Sequence, residues 1–420
     1  MTMHRFAHFA DVHLGANREP ALQKLELETF DMAIRKCAEF GVDFVLICGD
    51  LFHVGIPDLG VVNSALRSMM ELKKQGIPIY AIYGSHDYTP NGTSVIDILS
   101  TAGVLKNVFK PSFDGANLRL GVTVDERTGA KIAGISARKI GLESRYFGAL
   151  DRDTLEQERG FKIFAFHSGL TELKPDHLAT METVDAALLP KGFDYYAGGH
   201  IHERGEFSLP GLKNVVFPGP LFTGYGRDLE ATAKGEKRGL YIVEFDQRVV
   251  SKRFVPLDAI QGLFKEYNLN GRNAVEAGAV ISEDLKSAGV EGKLVVIKAF
   301  GELAGGKVSE VGLSAIRAAI SERGALHVYL NRNGLKSREA GGPVFSGEEP
   351  ASIERRLFLS ESAKVSVGGE HLRGENGANR AEELLRIWRQ PPRLGEMKKD
   401  YGARMAKEGI MALEKGEKQD

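Results

Sequence analysis

The chain has 420 residues, 43% of them hydrophobic and 26% charged, with a formal net charge of −1. This length and balance fit two or three globular domains with a sizeable core, and they exclude a disordered, collagenous or globally basic polyanion-binding protein. Cys37 and Cys48 are the only cysteines and fall on an expected helix and an expected buried strand, which predicts reduced thiols and a cytoplasmic chain rather than a disulfide framework. Nowhere is there an apolar run of about 18 residues, so neither a signal peptide nor a membrane span is expected.

In chain order, Arg5 to Ala10 reads as a first strand that delivers Asp11-Val12-His13 at its end. Apolar residues at helical spacing follow from Glu26 to Phe40, and then the run Phe44 to Cys48 ends abruptly in Gly49-Asp50-Leu51-Phe52-His53. A continuous apolar run of this length reads as a parallel strand buried on both faces, and ligands gather at the carboxyl ends of such strands. A helix is expected from about Asp58 to Lys74, after Pro57 and before Gly76. The strand Ile77 to Tyr83 then leads into Gly84-Ser85-His86-Asp87.

From Val95 to Leu150 the pattern is shorter and strand-like, clearest at Lys131 to Ile135. Phe161 to Phe166 ends in His167-Ser168-Gly169, and Tyr195-Tyr196-Ala197 leads into Gly198-Gly199-His200-Ile201-His202. Leu240 to Phe245 and Arg253 to Pro256 alternate as antiparallel strands do, so residues 1–257 read as one α/β domain of two sheets packed face to face. Residues 258–338 read as a small αβαβ unit with helices at Ala274 to Ala288 and Val311 to Arg323 and strands at Lys293 to Phe300 and Ala325 to Leu330. A Gly/Pro/Glu linker is expected over 339–351. The remainder, 352–420, reads as a helical tail with helices at about Ser352 to Ser360, Asn379 to Gln390 and Glu396 to Lys415, and with a glycine-rich loop from Val367 to Ala378.

Asp11-x-His13, Gly49-Asp50, Gly84-x-His86-Asp87, His167 and Gly199-His200-x-His202 each close an apolar run, and six of the eleven histidines lie in these segments or beside Asp50. Mixed imidazole and carboxylate ligands suit first-row divalent ions such as Mn, Fe or Zn better than Mg or Ca. A carboxylate shared between two such ions prepares a water nucleophile at neutral pH facing phosphorus, which points to phosphoester hydrolysis.

This order of motifs resembles the calcineurin-like metallophosphoesterases, and Gly49-Asp50-Leu51-Phe52-His53 narrows the resemblance to the SbcD-type nucleases of the double-strand-break repair complex, the meiotic recombination eleven group. The resemblance implies a two-sheet metallophosphoesterase sandwich flanked by helices, with the small αβ domain capping DNA and the helical tail binding an SMC-like ABC-type ATPase of SbcC type. It implies a homodimer acting on DNA ends as a Mn-dependent 3′-to-5′ double-strand exonuclease and single-strand endonuclease with two divalent metal ions. By the same resemblance Asp11, His13, His202 and bridging Asp50 hold one metal, and Asp50, His167, His200 and residue 85 hold the other. His86 then serves the leaving oxygen, Asp87 orients His86, and His53 places the scissile phosphate.

The family usually has asparagine where this chain has Ser85, a shorter ligand that implies a weaker or water-completed second site. A DNA-end-binding scaffold with weakened catalysis and a phosphodiesterase for small nucleotides stand as alternatives. Arg18, Arg138, Tyr225 and Arg227 are candidate DNA contacts, and Leu384, Leu385, Ile387 and Trp388 are candidate contacts to the ATPase on an amphipathic helix.

Overall fold

A computed structural model describes residues 2–89, 92–137, 143–175, 178, 180–338, 350–365, 370–393, 396 and 398–414. Three strands near the start of the chain, β1 (His4–Phe9), β2 (Phe44–Cys48) and β3 (Ile79–Ile82), pair in parallel and lie at the middle of a six-stranded sheet. Lys106–Asn107 extends the sheet beyond β3, and the antiparallel pair Gly239–Phe245 and Val249–Pro256 closes the other edge. A second six-stranded sheet holds β4 (Lys162–His167) and β5 (Tyr195–Gly199), parallel neighbours flanked by Lys131–Ile135 and Leu212–Phe217.

The two sheets stack because the strands of the first are apolar on both faces. On β2, Phe44, Leu46 and Cys48 point into the layer between the sheets with Ile163, Ala165, Tyr195 and Ala197. Val45 and Ile47 point the other way, onto helices α1 (Pro20–Glu39) and α2 (Leu59–Lys74) through Phe30, Ile34, Ala65 and Met69. Coverage on both sides is the reason β2 is an uninterrupted apolar run. Phe6 stacks on Phe44 at 5.1 Å and meets Tyr195 edge-on at 5.2 Å. Buried His8 crosses the same layer with Nδ1 2.9 Å from the Tyr195 hydroxyl, so it is a link between the sheets. Burial lowers its pKa to about 3, and the ring is neutral.

Local signals explain the helices. Pro20 sits in the first turn of α1, so that helix begins well before Glu26, where apolar spacing alone would start it. The Asp58 carboxylate caps α2 by accepting from the N–H groups of Gly60 and Val61.

The small αβ part has one strand more than the sequence pattern suggests. Gly262–Asn268 pairs in parallel with Leu294–Leu303, and His327–Ser337 completes a three-stranded sheet with the helices Ala274–Lys286 and Leu313–Glu322. Gly262–Asn268 is an edge strand carrying Lys265, Glu266 and Asn268 and only one buried residue, which hides it from a search for apolar runs. Leu294 and Val296 pack on Leu22 and Leu25 of α1 and on Leu229 and Ala233 of α3 (Gly226–Ala233). These strands therefore share one compact unit with both large sheets, a unit comprising residues 1–270, 275–301 and 309–335.

The second unit comprises residues 271–274, 302–308 and 336–420, with tail helices Pro350–Ser362, Gly374–Trp388 and Lys398–Glu414. The linker expected over 339–351 lies outside the described residues up to 349, and the first tail helix already begins at Pro350. The loop expected to reach Ala378 instead gives way to helix at Gly374, and in the first turn Gly377 allows a close approach, since a Cβ there would lie 2.2 Å from the Leu372 carbonyl oxygen. Among the described residues no helix is long and apolar enough to cross a membrane.

The contact between the two large sheets depends on Gly134, where a Cβ would lie 2.6 Å from Ile82 Cγ2 and 3.1 Å from Val108 Cγ2. Gly134→Ala is expected to destabilise the protein by about 1–3 kcal/mol through overpacking. Urea denaturation measures this, and an unchanged midpoint would refute the packing argument.

Candidate metal centre

The carboxyl ends of β1, β2, β4 and β5 converge on one point at the seam of the two sheets. Asp11, His13, Asp50 and His200 follow these strands, and each has a positive φ, of 53°, 51°, 52° and 86° respectively. Asn214 is the remaining non-glycine residue with positive φ among those described. Such backbone costs about 1–3 kcal/mol per residue and persists where the surroundings impose it. Here the surroundings are visible. Asp11 N–H donates to the Gly49 carbonyl at 3.1 Å and His13 N–H to the Asp50 carbonyl at 2.9 Å, stitching the two loops together. His200 N–H donates to both Asp11 oxygens at 2.9 and 3.0 Å, and His86 N–H donates to Asp50 Oδ1 at 2.8 Å.

Glycine makes this approach possible. A Cβ on Gly84 would lie 1.9 Å from Asp50 Oδ1, one on Gly49 2.3 Å from His167 Nδ1, and one on Gly199 2.0 Å from the Cys48 carbonyl oxygen.

The ligand atoms of Asp11, His13 and His202 lie within 4.8 Å of one another, as do those of Asp11, Asp50 and His167. Asp50 Oδ2 stands between the groups, 3.6 Å from His13 Nε2 and 3.1 Å from His167 Nε2. Asp11 is placed almost as centrally, with Oδ1 3.9 Å from His167 Nε2. His200 lies beside His167, their ring centroids 5.2 Å apart. Ser85 is half-buried and lines the same cavity as His86, His167 and His200.

The polar atoms fit a cation. Buried His13 Nδ1 and Nε2 and His167 Nε2 make no hydrogen bond, although His167 Nε2 and a carboxylate oxygen stand close together. Burial pushes Asp11 up to about 6 and His13 down to about 3, and it lowers His200 to about 4. Burial also opposes charge on Asp50 and His167, but their mutual attraction prevails: Asp50 is held low and His167 rises to about 10. Two buried carboxylates among imidazole nitrogens that lack hydrogen-bond partners suit divalent ions, which would balance the carboxylate charge and occupy the imidazole lone pairs.

His53 and His86 stack at the rim, their centroids 4.8 Å apart, and His13 Nε2 or Nδ1 lies within 4.8 Å of nitrogens of both. His86 Nδ1 is 2.7 Å from the His53 carbonyl oxygen, which leaves Nε2 for other partners. The expectation that Asp87 orients His86 is corrected by these contacts. Asp87 is buried and accepts from the backbone N–H groups of Leu51, Phe52 and Gly84 at 3.2, 2.9 and 2.9 Å, so it pins the loop that carries His53. Burial, then the nearby Asp50 charge, push its pKa up to about 7.

Tyr225 does reach the centre, its hydroxyl 3.1 Å from His53 Nδ1. Arg18 and Arg227 are exposed; Arg227 borders a surface recess with Glu230 and Lys234. Arg138 lies outside the described residues.

Three residues that support the centre lie outside the motifs that mark the candidate ligands. Asp228 accepts from His202, Arg238 pairs with Asp228, and Glu26 on α1 accepts from Gly15 N–H at 3.2 Å and from the Asn17 amide, holding the loop after His13. Asp228, Arg238 and Glu26 sit in stretches with no metal-binding pattern.

Residues 4–204 match the family model of the Calcineurin-like phosphoesterases, spanning every candidate ligand through His202. These residues form a calcineurin-like phosphoesterase domain. Curated relatives include the DNA double-strand break repair protein Mre11 of Methanopyrus kandleri, 26% identical over 420 residues that cover 94% of this chain and 85% of that protein. The protein of the same name from Archaeoglobus fulgidus is 29% identical over 237 residues, covering 52% of this chain and 50% of that one. The Methanococcus maripaludis protein is 31% identical over 262 residues, covering 59% and 66%. A calcineurin-like phosphoesterase domain makes this a metal-dependent enzyme and implies a dinuclear divalent site, for which the clustered side chains are the candidate ligands.

Binding metal at a site that is unfavourable when empty stabilises the fold by mass action. Mn2+ at about 1,000 times its Kd should add about 4 kcal/mol. Calorimetric scans with Mn2+ and after chelation check this, and identical transition temperatures would count against metal binding by the cluster.

Proposed function

We propose that the protein is a Mn-dependent DNA nuclease that processes DNA ends in double-strand-break repair, as a 3′-to-5′ exonuclease on duplex and an endonuclease on single strands. The observation that carries the reading is the stacked His53–His86 pair beside a full set of candidate ligands, in a chain whose relatives are named as DNA repair proteins. Asp11, His13, Asp50 and His202 would hold one ion, and Asp50, His167, His200 and Ser85 the other. Ions held there supply positive charge against a phosphate and ease deprotonation of water. His86, its Nδ1 fixed by the His53 carbonyl, can present a protonated Nε2 to the departing 3′ oxygen. His53, steadied by Tyr225, faces the cavity of about 760 Å³ beside the ligands and can hold the phosphate.

The same reading assigns a homodimer inside the cell, acting on chromosomal DNA ends with an SMC-like ATPase docked on the tail. The tail helix Gly374–Trp388 narrows that surface. Ile387 is buried with Met405 and Ala412, and Leu384 packs beside them, so Ile387 serves the tail's own core. Trp388 is 57% exposed, and half-buried Leu385 lines a recess with Glu354, Arg386 and Arg389. Trp388 and Leu385 are the better anchors for a partner.

His86→Gln and Asp50→Asn are each expected to reduce Mn-dependent cleavage of end-labelled linear duplex DNA by at least about 100-fold while the fold survives. Undiminished cleavage sinks the nuclease reading. Ser85 favours a second reading, an end-binding scaffold with weakened catalysis. Under that reading the native chain binds one Mn2+ and cleaves only after Ser85→Asn. A preference for small phosphodiesters over DNA would favour a nucleotide phosphodiesterase.

A further inference from the structure

His202 is held from behind by a pair of buried opposite charges that lies outside the metal-binding motifs. His202 Nδ1 is 2.7 Å from Asp228 Oδ2, and the Thr223 hydroxyl donates to the same oxygen. Arg238 Nη2 lies 3.3 Å from Asp228 Oδ1, and Arg238 Nη1 donates to the carbonyl of His202 itself at 3.1 Å. Asp228 and Arg238 are 3% and 6% exposed. The guanidinium therefore grips the backbone of His202 and the carboxylate grips its ring, closing a ring of contacts that leaves the imidazole little freedom to turn.

Two neighbouring imidazoles are fixed differently. His167 Nδ1 is 2.8 Å from the Cys48 carbonyl oxygen and His86 Nδ1 is 2.7 Å from that of His53, acceptors that no substitution removes. His202 depends on side chains for the same service. A carboxylate flanked by two donors can only accept, so Nδ1 must carry the proton and Nε2 keeps its lone pair beside Asp11 and His13.

We infer that Asp228 and Arg238 are positioning residues that fix the tautomer and angle of His202 and so set the affinity of the ion it shares with Asp11 and His13. Asp228 selects the nitrogen. Arg238 supplies the countercharge that keeps Asp228 an acceptor and ties the pair to the main chain at His202. The inference rests on the reading of His202 as a metal ligand and reaches residues beyond the matched segment, since both lie after residue 204.

The test is titration of the metal-free full-length protein with Mn2+ by calorimetry, together with long-range 1H–15N correlation spectra that report the tautomer of each histidine. Asp228→Asn places an amide N–H2 against existing donors, and it is expected to weaken one of two Mn2+ sites about 10- to 100-fold. The His202 signals should move at the same time to a mixture of tautomers. Unchanged affinity and tautomer overturn the inference. If Asp228→Asn does not fold, the unsubstituted protein decides: His202 must carry its proton on Nδ1, and a ring protonated on Nε2 instead overturns the proposal. His202→Ala separates the two levels. Should it leave both Mn2+ sites intact, the ligand reading fails and the positioning role with it; should it weaken a site that Asp228→Asn leaves untouched, only the positioning role fails.

Discussion

The structure turns on the approach of two β-sheets at their carboxyl edges, close enough that one oxygen of Asp50 stands between imidazoles delivered by different sheets. His13 comes from the end of β1 and His167 from the end of β4, and the apolar layer behind them sets their separation. Gly49 and Gly199 remove the Cβ atoms that would hold the edges apart, and Gly84 removes one that would collide with Asp50 inside the first sheet. Burial in this seam makes the bare cluster electrostatically unfavourable, and the same burial makes a bound cation effective.

Much of the site could be read in the sequence because each ligand directly follows an apolar strand. In Phe44 to Asp50 the change from continuous hydrophobicity to Gly-Asp marks both the strand end and the ligand. The two stacked sheets were legible for the same reason, since strands covered on both faces leave strong apolar signals. The edge strand Gly262–Asn268 was not, being half-exposed and rich in polar residues.

What spacing hides is direction. Asp87 is adjacent to His86 in the chain, yet its carboxylate turns to the N–H groups of Leu51, Phe52 and Gly84, buried donors that the loops after β2 and β3 leave without backbone partners. Conversely, Asp228 is 26 residues from His202 and becomes its nearest acceptor only when α3 folds back over the loop. Glu26 reaches the loop after His13 from the middle of a helix whose pattern speaks only of packing. Such supports carry no motif, since any element that passes nearby can provide them.

The left-handed backbone at Asp11, His13, Asp50 and His200 also bears on transplanting this centre into another scaffold. Copying the side chains onto regular strands or helices would aim these four ligands wrongly, because their Cα–Cβ vectors issue from conformations that those elements do not contain. A portable unit would have to include the loops with their reciprocal N–H contacts, and with them the glycines of the opposite sheet. The chemistry belongs to the seam as a whole, and a list of ligands is too small a part of it to travel alone.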